Sequence, residues 1–232
     1  MIKNVCSNCN IDYVLGRIRD ILNKNFNNSY DNQIYDYLIA AHNLFLTWSS
    51  KFEPKIIGNS TQIQLKMMLR DFILEANNGS WNNMQRTGSA VANSAMLKNL
   101  LKILINYKIN NSMPDMNDVI TRLNNICNPA ASGHVGGMSV FLATAILFAR
   151  DDKNFMVIDK PVRECFGLKN DITQLTDYDN IIQYSQGLAQ KYGVDLWYVN
   201  KAYGICQSNM HIKIWHLGHK FPALGNSHEV KL

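Results

Sequence analysis

No apolar run in this 232-residue chain approaches the ~18 residues needed to cross a membrane. Met1-Ile-Lys-Asn leads into a polar stretch, with neither the apolar core nor the small-residue cleavage site of a secretory leader. A cytoplasmic protein with reduced thiols is therefore the expectation. Cysteine is scarce: Cys6, Cys9, Cys127, Cys165 and Cys206 make an odd count of 5. Cys6 and Cys9 have the spacing of a metal knuckle, but no second pair matches them, and the other three are scattered. His211, His216 and His219 lie close in sequence without a carboxylate partner, so neither a metal nor any other cofactor is expected. Strand signals are also nearly missing, since period-two alternation between turn residues hardly occurs. No repeat, low-complexity tract or obvious linker divides the chain.

What remains is apolar and helical. With 47% hydrophobic residues the chain can bury a real core. The net charge of +5 and pI near 8.9 permit a polyanionic partner such as a nucleic acid without requiring one. Three- and four-residue spacing predicts helices over 11–21 and 34–48. The cluster Asn59-Ser-Thr caps a third, ending before Asn77-Asn-Gly. Further helices are predicted from Ser89 over "AVANSAMLKNLLKILINYKI", from Pro114-Asp115 to Ile126, over 178–192, and over 195–206. The class is all-α. Residues 1–110 form an N-terminal helical region and 111–232 a second, the two compatible with one compact unit. Trp81 stands alone between asparagines in a polar loop, as a core residue folded back or as an aromatic that stacks on a base.

Two stretches carry the chemistry. Gly133-His-Val-Gly-Gly137 places three glycines in five residues directly before the apolar run "MSVFLATAILFAR". Glycines at a helix start let backbone N–H groups approach an anion, and the helix end adds partial positive charge. The second stretch, "FMVIDKPV", runs four apolar residues into Asp159, with Pro161 two positions on. Asp159 reads either as the N-cap of the helix that Pro161 opens, or as a carboxylate held dry for chemistry. Lys153, Lys160, Arg163 and Lys169 follow the hairpin as a basic rim, either a solvated face or contacts to a phosphate backbone.

The order of helix, glycine hairpin, small-residue helix (Ala143-Thr-Ala145-Ile-Leu147) and "VID" resembles the helix-hairpin-helix DNA glycosylase superfamily. The likeness is greatest to its 8-oxoguanine-glycosylase-like bacterial branch. A tail containing Tyr184, Leu188-Ala189, Gly193-Val194 and Leu196-Trp197-Tyr198 adds to it. The resemblance covers residues 115–207; over the first 110 residues it extends only to the presence of several helices.

It implies a two-lobed helical fold with a cleft, double-stranded DNA as partner, a flipped base, and Asp159 as the catalytic carboxylate. It also implies backbone contacts from Gly133, His134, Gly136, Gly137, Met138, Ser139, Lys160 and Arg163, with Trp81, Phe141, Trp197 and Tyr198 as stacking candidates. One departure is plain. Strand-cleaving members carry an imine-forming lysine where this chain has Val140 or Phe141, so a monofunctional N-glycosylase leaving an abasic site is expected. The alternatives are a helix-hairpin-helix scaffold that keeps DNA or protein binding without catalysis, with bacterial defence as its setting, and a helical interaction protein without nucleic acid.

Overall fold

A computed structural model describes residues 10–25, 28–79, 88, 90–168, 175 and 177–207. The fold is mostly helical, as the spacing predicts. In chain order come α1 (Ile11–Leu22), α2 (Ser29–Lys51), α3 (Pro54–Asn59), α4 (Gln62–Gly79) and α5 (Leu97–Ile105). A two-stranded hairpin follows, β1 (Ile109–Asn110) with β2 (Met113–Pro114). Then come α6 (Met116–Cys127), α7 (Val140–Arg150), α8 (Lys160–Cys165), α9 (Tyr178–Tyr192) and α10 (Leu196–Gln207). Among the described residues no helix is long and apolar enough to cross a membrane.

Short polar side chains set the helix starts. Asn10 accepts from the Tyr13 N–H at 3.1 Å, and Asn28 from that of Asp31 at 2.7 Å. Asp115 accepts from Asn117 and Asp118 at 3.1 and 3.3 Å. Each satisfies a donor that the first turn leaves without an intrahelical partner.

The departures from expectation have local causes. α4 continues through Asn77-Asn-Gly79 instead of ending before it. The helix read from Ser89 breaks at Asn93-Ser94 and restarts at Leu97: the Ser94 hydroxyl accepts from the Met96 N–H at 3.1 Å, a local bond that competes with the helical ladder. Pro114 lies in β2 rather than opening a helix, and Asp115 alone caps α6. The hairpin turn, with Asn111 at φ 50° and Ser112 at φ 67°, is the left-handed pair that a two-residue connection needs, and it went unpredicted.

At the centre lies α7, buried on every side from Leu142 to Ala149. A helix apolar all round belongs inside a core rather than on its surface. α2, α5 and α6 pack against it, and Phe45 of α2 meets Phe148 with ring centroids 5.0 Å apart. α10 is the second hub, packed on α1, α8 and α9. The boundary drawn at residue 110 falls inside the β-hairpin turn, and helices from either side of it share one continuous apolar cluster.

Candidate functional site

Between α7 and α8 the chain crosses the core as an unpaired strap. Phe155, Met156 and Val157 are fully buried and Ile158 nearly so, yet the segment is neither helix nor sheet. Buried backbone N–H and C=O groups need partners, and here three other helices supply them through side chains. The Tyr178 hydroxyl of α9 donates to the Met156 carbonyl at 2.7 Å and accepts from the Met156 N–H at 3.3 Å. Thr144 of α7 accepts from the Ile158 N–H at 3.0 Å while donating back to the Val140 carbonyl at 2.8 Å. Asn200 of α10 reaches the Val157 carbonyl at 3.5 Å. None of these three was found in the sequence, where Thr144, Tyr178 and Asn200 read as ordinary helix positions.

The strap delivers Asp159 to the start of α8. Asp159 does cap that helix, accepting from the Val162 N–H at 3.0 Å. The residue is half-buried. Burial pushes its carboxyl up to about 6, against the opposing pull of the Val162 N–H, Lys201 and Arg163. The two readings of Asp159 are thus compatible in one geometry.

Lys201, which the sequence reading overlooked, stands on the facing side of α10. Its ammonium lies 4.7 Å above the Trp197 ring. Desolvation depresses it to about 7, and the Asp159 charge pulls the other way. Lys201 as a residue is half-buried, and its amine end is crowded out of water. The only sequence signal was a lysine on an otherwise apolar face of α10, one turn after Trp197.

The glycine hairpin is built by its own contacts. The Gly133 N–H donates to Asn125 Oδ1 at 3.2 Å, and His134 Nδ1 lies 3.2 Å from the Ile126 carbonyl. Ser139 caps α7 by accepting from the Leu142 N–H at 3.2 Å, and Met138 is buried beneath. Gly137 has φ 86°, in the left-handed region, whereas a side chain added at Gly136 would meet nothing within 4 Å. Gly136 is therefore the clean probe of the hairpin surface. Gly136→Trp should leave the melting temperature within about 2 °C of wild type, so that a change in ligand binding by this variant reports on the hairpin surface alone. Gly137 substitutions confound the two effects, because strain adds about 1 kcal/mol or more there.

The other candidates separate. Trp197 and Tyr198 are 2% and 4% exposed and pack around His42, with ring centroids 4.9 Å away in both cases. The structure thus places both in the core. Phe141 is half-buried on the first turn of α7. Lys160 points outward, 3.7 Å from Glu164, whereas Arg163 lies near Asp159. Cys127 is a free buried thiol pushed up to about 12, but Cys165 and Cys206 are each disulfide-bonded, which departs from the expectation of reduced thiols. Among the described residues no three His, Cys, Asp or Glu side chains cluster to hold a metal. Trp81, Lys169, Cys6, Cys9, His211, His216 and His219 lie outside the described residues.

The strap itself is testable. Thr144→Val keeps the shape but leaves the buried Ile158 N–H without an acceptor, at a cost of about 1–3 kcal/mol. Thr144→Ser should restore most of that stability in denaturant melts.

Comparison with family models, with curated proteins and with solved structures gives no match for this chain.

Proposed function

We propose that the protein binds duplex DNA and releases a damaged or modified base by N-glycosidic cleavage, with Asp159 as the catalytic carboxylate. The observation that carries this reading is the placement of Asp159 at the end of a buried strap fixed by Tyr178, Thr144 and Asn200. A helix cap alone requires no such support. At neutral pH a carboxyl titrating near 6 is mostly ionised. That charge, held in poorly hydrated surroundings, favours the oxocarbenium character that builds on the sugar as the base departs. The glycine hairpin supplies the approach to the phosphate backbone, and the base leaves the stack before cleavage.

The test is base release from a panel of duplexes carrying single oxidised, alkylated, deaminated or otherwise modified bases, read by alkaline strand cleavage under single-turnover conditions. Release that requires Asp159 supports the proposal. Tight duplex binding with no release from any member of the panel would transfer the protein to the class of binding scaffolds.

A further inference from the structure

We infer that Cys165 and Cys206 join Cys6 and Cys9 in a four-thiolate zinc site that pins the chain entering α1 to the ends of α8 and α10. The site is independent of the base-release reading.

The donors follow by elimination. The chain has 5 cysteines. Cys127 is a free buried thiol, whereas Cys165 and Cys206 are each bonded to another sulfur. The sulfurs they meet therefore belong to this pair itself or to Cys6 and Cys9. Two helices bring the pair together. Cys165 is the last residue of α8 and 2% exposed, and Cys206 is the last but one of α10 and fully buried. α8 and α10 run side by side in one direction. The Asp159 charge at the start of α8 acts on Lys201, and Phe166, just past its end, meets Tyr203 with ring centroids 5.5 Å apart. Cys206 lies three residues beyond Tyr203, on the same face of α10. α1 packs against α10 as well, and Cys9 directly precedes Asn10, the cap of α1.

This donor set suits a structural zinc ion. Cys6-Ser-Asn-Cys9 has the spacing that lets both sulfurs of one short loop face the same cation, and two buried helix-end sulfurs complete a tetrahedron. Sequence spacing concealed the second pair because two packed helices form it rather than a loop. A dithiol reductant supplies the two electrons and two protons that open each disulfide. Zn²⁺ then binds the four sulfurs as their protons pass to solvent, with no further change of oxidation state.

The experiment uses the full chain, reduced with a dithiol that is then removed under nitrogen, and titrated with Co²⁺ followed by Zn²⁺. The expected result is thiolate-to-cobalt charge transfer with the intense visible bands of a tetrahedral ion, saturating at about one ion per chain and bleached by Zn²⁺. Cys9→Ser and Cys206→Ser should each weaken binding by at least about tenfold, whereas Cys127→Ser should bind as the wild type does. Cys6→Ser and Cys9→Ser leave both helix-end cysteines in place, so the test stands even where Cys165→Ser and Cys206→Ser do not fold. Absent cobalt bands, bands that survive in Cys9→Ser, or iron with acid-labile sulfide in the purified protein would overturn the inference.

Discussion

Asp159→Asn should abolish base release while leaving the protein at least as stable as wild type at neutral pH. Asparagine has nearly the same shape and can still accept the Val162 N–H, so the cap of α8 is kept in part. What it loses is the charge. Removing one strong electrostatic stabiliser of a transition state costs about a hundredfold or more in rate, roughly 3 kcal/mol.

The stability side follows from the raised carboxyl. In the folded protein Asp159 holds its proton up to about pH 6, against 3.8 for the ordinary group. The folded state therefore binds more protons between those values, and wild-type stability falls as pH rises through that window. Asparagine escapes this loss, so the variant's advantage grows from pH 4 to 6 and is complete at pH 7. Its ceiling is about 3 kcal/mol, from ~1.4 kcal/mol per pH unit. Part of it is returned, because Lys201 loses the counter-charge that holds its pKa up. Single-turnover release beside melting curves at pH 4.5 and 7.5 separates the roles. A variant that still releases base but melts earlier at both pH values would reduce Asp159 to a helix cap.

Tyr178→Phe is the second large effect, and it should fall mainly on stability. One hydroxyl serves both the N–H and the carbonyl of Met156, at a site where Tyr178 is 1% exposed. Removing it leaves two buried backbone groups unsatisfied for the loss of a single oxygen. Each such group costs about 1–3 kcal/mol, so a total of about 2–6 kcal/mol is expected. For a chain of this size that corresponds to a fall in melting temperature of roughly 5–25 °C. The loss should be local before it is global: in native-state hydrogen exchange the Ile158 amide should open at lower free energy than those of α7. A variant with unchanged melting and exchange would mean that water replaces the hydroxyl, and that the strap is not held as described.

The helices were legible in the sequence because burial on one face imposes a period that survives in a single chain. α1, α6 and α9 lie close to where that period puts them, Asp115 caps α6 as expected, and α2 covers the expected 34–48 and extends past it at both ends. The glycine hairpin and Asp159 were visible for a different reason: glycine clusters and a carboxylate after an apolar run break the pattern. The strap's partners left no such mark. Tyr178 and Asn200 lie far along the chain on helices whose spacing is already explained by packing, and Thr144 is one polar residue in an apolar helix. Their pairing with residues 156–158 depends on how α7, α9 and α10 cross, which periodicity does not encode. Lys201 was hidden in the same way, since nothing local says that its amine meets α8. Trp197 and Tyr198 show the converse. Their aromatic character suggested base stacking, but the side of α10 they occupy faces the His42 side of the core.

The strap also divides the connection between α7 and α8 into two stretches with opposite tolerance to changes in length. Around Asp151 to Asn154 the chain makes an outer turn, with the Asn154 side chain donating to Asp151 at 2.8 Å and Lys153 exposed. An added residue there disturbs the turn and its two side-chain contacts, Asp152 with His42 and the Lys153 carbonyl with Gln186, but leaves the buried strap in register. Between Phe155 and Asp159 three consecutive residues are indexed to three different helices, and alternate side chains point opposite ways. One residue more or fewer would present Ile158 or Lys160 where the carboxylate belongs, and would misalign every backbone bond on the way. Length variation among natural or engineered versions of this chain should therefore accumulate before Phe155 and stop there, while substitutions at 144, 178 and 200 should change together rather than singly.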